Sequence, residues 1–145
     1  MRKRPTGIII LVVAEVVLAI TSIGGGRILL ADPLGKTLGL QPLIPYLPFN
    51  LHDYTLVGVW LIVTFGLLPL ILAAGFWFRK IWAWRVGLGL GAILIIWIIA
   101  EVSMFYSFGF TFFYPLIAGI GMITIVLLYL PSTRQYFFVR ALVES

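Results

Sequence analysis

Apolar and polar positions alternate along this chain in long blocks. Four apolar runs cover about 7–23, 54–78, 83–104 and 110–130. Each is long enough for a bilayer-crossing helix, because ~20 residues rising 1.5 Å apiece traverse a hydrocarbon layer of ~30 Å. The blocks therefore predict an all-α membrane protein: a four-transmembrane-helix bundle forming a single membrane domain over 1–145.

The stretch 24–53 interrupts this pattern. It holds too many glycines and prolines for a span, yet Ile28, Leu29, Leu30, Leu38, Leu40, Leu43, Ile44, Leu47 and Phe49 make it too apolar for a solvated loop. Gly24-Gly25-Gly26 is expected to end the first helix. Asp32-Pro33-Leu34-Gly35 places Asp, Pro and Gly where a type I turn prefers them. Pro42, Pro45 and Pro48, three residues apart, suit an extended polyproline path. Asn50 followed by Asp53 reads as a helix start, with Asn50 as cap and Asp53 near the positive end of the dipole. An ordered extracytoplasmic loop between helices 1 and 2 follows. It folds back over the outer helix ends as a cap, with room for a short interfacial helix.

Small and polar residues assign faces within the spans. Leu11, Val12, Glu15, Leu18, Ala19 and Ser22 share one side of the first helix. Gly58, Ile62, Gly66, Pro69 and Ala73 form a small-residue stripe on the second, where Pro69 should also kink it. Gly87 and Gly91 make a GxxxG pair in the third, and Pro115, Ala118, Gly119 and Gly121 give the fourth its small face. Pro131 stops that helix. Ser132 with Gln135 resembles a capping box. The tail 132–143, with Tyr136, Phe137, Val139 and Leu142 beside Arg134 and Arg140, reads as an amphipathic helix on the inner surface.

Composition agrees with a membrane class: 62% of the 145 residues are hydrophobic and 10% charged, with mean hydropathy +1.15. The net charge of +5 matters less than its placement. Arg2, Lys3, Arg4, Arg79, Lys80, Arg85, Arg134 and Arg140 fall on one side of the spans, and only Arg27 and Lys36 on the other. The positive-inside rule then predicts a multi-pass cell-membrane protein with both termini cytoplasmic. The basic excess reports topology and anionic lipid headgroups, so membrane lipids are expected partners and nucleic acid is not. With no cysteine, disulfides, thiolate metal sites and dithiol redox chemistry are excluded.

Candidate chemistry is sparse. Glu15 lies near mid-span, where a carboxylate must face other helices or a wet cavity. It is either a proton or cation relay, or a structural hydrogen-bond partner for Thr, Ser, Tyr or a neighbouring subunit. Glu101, near the outer end of the third span and within reach of Arg27, favours the structural role. Asp32 and Asp53 could contribute to an acid–base or metal pair, but turn and cap chemistry explains both positions, together with Pro33, Gly35 and Asn50. His52 is the sole histidine; a zinc site would need it beside Asp32, Asp53 or Glu101, and the spacing does not support that. No metal or other cofactor is expected. No serine stands in a nucleophile elbow. The aromatic clusters Trp77–Trp84 and Tyr106–Tyr114 match interfacial belts.

Two resemblances follow from these residues. The pattern Gly24-Gly25, Asp32-Pro33-x-Gly35, Leu38-Gly39, Pro48-Phe49, Asp53-Tyr54, Gly58 and Gly91 to Trp97 resembles a family of small four-span prokaryotic integral membrane proteins with no assigned function. It spans most of the chain and implies the fold without an activity. Ala14-Glu15-Val16 in the first of four spans is similar to the small multidrug resistance transporters. That similarity implies a glutamate binding a cation or proton, although segment 24–54 stands where that family has a short connection.

The expected function is that of a non-catalytic accessory or interaction protein, a subunit or scaffold packing against other integral membrane proteins or against itself. One alternative is a small proton- or cation-coupled transporter using Glu15. Another is a lipid- or quinone-binding protein with its site under the outer cap.

Overall fold

A computed structural model describes the backbone of residues 5–105 and 113–141, and the side chains of 5–103 and 119–138. The described residues are all-helical, without a strand. Helix α1 spans Thr6–Ala31. Short 3-10 turns at Gln41–Tyr46 and Pro48–Asn50 precede α2 (Thr55–Trp60), which runs through a π-helical segment, Leu61–Leu67, into α3 (Leu68–Trp77). Helices α4 (Ile81–Phe105), α5 (Phe113–Tyr129) and α6 (Pro131–Ala141) follow. Three helical stretches, Thr6–Ala31, Thr55–Trp77 and Ile81–Ser103, are long and apolar enough to cross a membrane. The expected connection at 106–109 and the start of the last run lie outside the described residues.

Apolar residues occupy both sides of these helices. In α1, Ile8, Leu11, Glu15, Leu18, Ala19, Ser22 and Leu29 are buried along one face, while Ile9, Ile10, Val13, Val17 and Ile20 are exposed. The predicted Leu11–Ser22 face is thus the inward one. An exposed face this apolar suits a lipid solvent and not water.

Packing divides the chain into two compact units, Val17–Pro69 and Met1–Val16 with Leu70–Ser145. In the first unit, α1 does not stop at the three glycines. It continues to Ala31, closes with Asp32 N–H on the Ile28 carbonyl at 2.9 Å, and is stopped by Pro33. The expected end at residue 23 is therefore corrected, and the expected loop shortened from its N-terminal side. The reason is contact. A Cβ on Gly26 would lie 2.7 Å from the Gly58 carbonyl oxygen and 2.6 Å from Ile62 Cγ1, and one on Gly66 2.6 Å from Ile23 Cγ1. Glycine is retained there so that helix backbones can touch, and the gain in packing outweighs its poor helix propensity.

The disruption expected at Pro69 takes the form of the π segment before it. Proline lacks an N–H and its ring crowds the carbonyl four residues earlier. The widened register lets Leu68 N–H bond to the Val63 carbonyl instead.

Within 32–54 the turn at Asp32 forms, with Gly35 N–H on the Asp32 carbonyl at 2.9 Å and Gly35 at φ 65°. The spaced prolines do not adopt the extended path. They sit in 3-10 turns closed by Leu43 N–H to Leu40 O, Leu47 N–H to Ile44 O and Leu51 N–H to Pro48 O. Proline's fixed φ suits both conformations, and a period of three matches the 3-10 repeat. Tyr54 pins the segment: its N–H bonds to the Pro33 carbonyl at 2.8 Å, its hydroxyl donates to the Leu40 carbonyl at 3.0 Å, and its ring is buried.

In the second unit, α5 packs along α4, and α6 packs on both. Gly91 and Gly121 face each other; a Cβ on Gly91 would lie 3.2 Å from the Gly121 carbonyl oxygen, and one on Gly87 2.7 Å from the Phe76 ring. Trp84, expected in an interfacial belt, points inward and donates to the Leu128 carbonyl at 2.9 Å, near the end of α5. Pro131 opens α6, which places Ser132 inside its first turn and not at the expected cap.

The glycine triplet gives a sharp prediction. Nothing lies within 4 Å of a Cβ added at Gly24 or Gly25. Alanine at either should raise thermal stability in detergent, by up to about 1 kcal/mol from helix propensity. Alanine at Gly26 should lower it by about 1–3 kcal/mol through overpacking. Equal responses at the three positions would overturn the assigned contact.

Candidate functional site

The one buried carboxyl contact between distant elements of the chain joins α1 to α5 among the described residues. Glu15 is fully buried, placed inward by the periodicity that also buries Leu11 and Leu18. Thr124, likewise fully buried, lies on the α5 face shared with Ile120 and Leu128. Its hydroxyl donates to Glu15 Oε1 at 3.2 Å. Glu15 Oε2 is buried without a hydrogen-bond partner among the described residues. Such a group is expensive to hold in an apolar interior, so the contact to Thr124 orients a carboxyl whose other oxygen still has acceptor capacity.

Thr133 on α6 carries the second buried side-chain oxygen without a partner among the described residues, its hydroxyl. A Cβ on Gly7 would lie 2.8 Å from its Oγ1, so Gly7 makes the space that Thr133 occupies. Glu101 is half-buried and accepts a hydrogen bond from Trp97 one turn earlier in α4. Its partner is thus local.

The remaining candidates do backbone work. Asp32 Oδ2 accepts the Thr37 N–H. That bond is the main cause holding the Asp32 carboxyl below its usual value, with the Thr37 hydroxyl and the Lys36 charge adding to it. The cap position of the next helix falls to Tyr54, without a side-chain cap bond, and Asp53 just before it accepts the Thr55 N–H on its Oδ1 at 2.9 Å. Asn50 instead takes a left-handed backbone, φ 53°, directly after Phe49 at φ 60°; the expected Asn50 cap is corrected accordingly. His52 is exposed. No three His, Cys, Asp or Glu side chains among the described residues gather as a metal-holding group.

Thr124 was not singled out from the sequence. A threonine amid Ile and Val in an apolar helix carries no local signal, and the 109 residues separating it from Glu15 hide the pairing. No protein-family model, curated protein or solved structure matches this chain.

Thr124→Val keeps the shape and removes the donor, leaving the buried carboxyl unpartnered. A loss of about 0.5–2 kcal/mol in detergent unfolding is expected. In a Glu15→Leu background the same change should have little effect; an undiminished loss there would remove the coupling between the two residues.

The Asp32 contact has a defined pH sign. Because folding lowers this carboxyl's value, the stabilisation is full above the ordinary aspartate range, about 3.9, and is lost as pH falls through the still lower folded value. Hydrogen exchange at the Thr37 amide should keep its protection from pH 7 to about 5 and lose it only below about 4. Asp32→Ala should expose that amide at every pH.

Proposed function

We propose that this chain is a four-span integral protein of the cell membrane, with both termini cytoplasmic. Its role is to pack against other membrane proteins as a non-catalytic accessory or interaction subunit. The observation that carries this reading is that its polar side chains are used within the chain itself. Glu15 is sealed against Thr124, Glu101 is bound by Trp97, and Asp32 and Asp53 close turns. What remains outward is chiefly apolar, including Ile93, Ile96 and Ile99 on α4 and Met122, Ile123 and Val126 on α5. The three long apolar helices and the one-sided basic residues support the topology.

A second reading keeps Glu15 as the cation- or proton-binding group of a small transporter. It is favoured by an Oε2 that no described residue meets with a hydrogen bond, since a membrane-embedded acid with spare acceptor capacity is a common relay.

Chemical crosslinking in native membranes followed by mild-detergent purification separates the two. The accessory role predicts a homo-oligomer or a stoichiometric membrane partner, with Glu15→Gln leaving the assembly intact. The transporter role predicts coupled uptake in proteoliposomes that Glu15→Gln abolishes. An isolated monomer would count against the first, and no flux from the native protein against the second.

A further inference from the structure

Helix α3 ends in a Schellman motif. Lys80 N–H bonds to the Gly75 carbonyl at 2.9 Å and Arg79 N–H to the Phe76 carbonyl at 3.3 Å. The left-handed position of this motif is usually glycine. Here it is Arg79, at φ 57°, a conformation that long side chains rarely adopt. The sequence at this turn therefore favours the side chain over backbone ease.

That side chain is held in place. The Arg79 guanidinium lies 4.3 Å from the centroid of the Tyr136 ring. Tyr136 is itself buried on α6 and its hydroxyl donates to the Trp77 carbonyl at 3.4 Å, at the end of α3. The ring occupies one face of the guanidinium, and among the described residues no carboxylate is paired to Arg79 and no acceptor takes its N–H edges. Segments 77–85 and 131–138 carry Arg79, Lys80, Arg85 and Arg134 and no Asp or Glu. Trp77 and Trp82 flank the turn and are 41% and 43% exposed.

The geometry points to the α3–α4 turn as a binding site for the phosphate group of an anionic phospholipid. The planar fork of Arg79 matches two phosphate oxygens, Lys80 adds a point charge beside it, and the two indoles suit the boundary between headgroups and acyl chains. This differs from diffuse attraction to a charged surface, in which any basic residue contributes alike. It also differs from a purely local role, in which Arg79 only complements the carboxyl end of α3.

Arg79→Gly separates these, because glycine is the residue the motif prefers and the turn should survive. The measurement is binding of phosphatidylglycerol to the purified full chain in detergent, by native mass spectrometry and by thermal shift, with phosphatidylcholine and inorganic phosphate as comparators. The native protein should bind phosphatidylglycerol and be stabilised by it, and by neither comparator. Arg79→Gly should weaken that binding about tenfold with its thermal midpoint in detergent unchanged or raised. Arg134→Gln, which removes an equal charge beside Phe138, should leave it within about twofold. Unchanged binding in Arg79→Gly would overturn the proposal. So would equal losses from both variants, which indicate diffuse attraction. Equal stabilisation by inorganic phosphate would overturn the lipid assignment in favour of a soluble anion. If Arg79→Gly lowers the thermal midpoint, Arg79→Asn, also tolerant of the left-handed backbone, replaces it under the same criteria.

Discussion

Close approach of helix backbones at glycine is the constraint on which this structure rests. Helices that are apolar on every side gain little from hiding one side over another, so burial alone cannot choose their contacts. Shape must choose them. Gly26 against Gly58 in one unit, and Gly91 against Gly121 in the other, bring main-chain atoms to distances that any side chain would prevent. At such separations neighbouring Ile and Leu side chains interlock, and many small dispersion contacts add up. In each unit a glycine on one helix meets a glycine on another.

Polar groups then inherit the spacing that the glycines set. On α5, Gly121 faces α4 through Gly91 and Leu94, while Thr124, one turn later, reaches Glu15 of α1. A hydroxyl is short, so this bond forms only when the helix axes lie close. The carbonyls left open at helix ends are treated in the same way. Trp84 serves the end of α5 and Tyr136 the end of α3, each an aromatic ring that also fills space. Backbone groups that water cannot reach thus find partners on neighbouring elements.

Much of this was legible in the sequence, and the misses share a cause. The inward face of α1 followed from the spacing of Leu11, Glu15, Leu18 and Ser22, and the turn at Asp32 from the residues it prefers. The span boundaries near 54–78 and 83–104 lie close to Thr55–Trp77 and Ile81–Phe105. Gly24-Gly25-Gly26 was misread because three glycines signal a helix end locally, whereas Gly26 answers to a helix more than thirty residues away in sequence. Asn50 was read as a cap on residue type alone; the backbone places Asp53 nearer the first free N–H. The Glu15–Thr124 pair could not be read, because burial and distance are properties of the fold.

Left-handed backbone makes the same division between local and distant causes. Gly35 and Gly39 adopt it without strain, and Gly35 could not carry a side chain anyway, since a Cβ would meet Leu40 and the Tyr54 ring. Arg79 adopts it against its own preference, and the contact with Tyr136 offsets the strain. Phe49 is the opposite case: left-handed, followed by left-handed Asn50, and 91% exposed. A bulky residue in that region costs roughly 1–3 kcal/mol, and so exposed a ring recovers almost none of it from packing. The 3-10 turn Pro48–Asn50 is therefore the least supported part of the segment that Tyr54 pins. Strain held by a buried aromatic at one turn, and by nothing among the described residues at another, marks where the fold is rigid and where it is free to give.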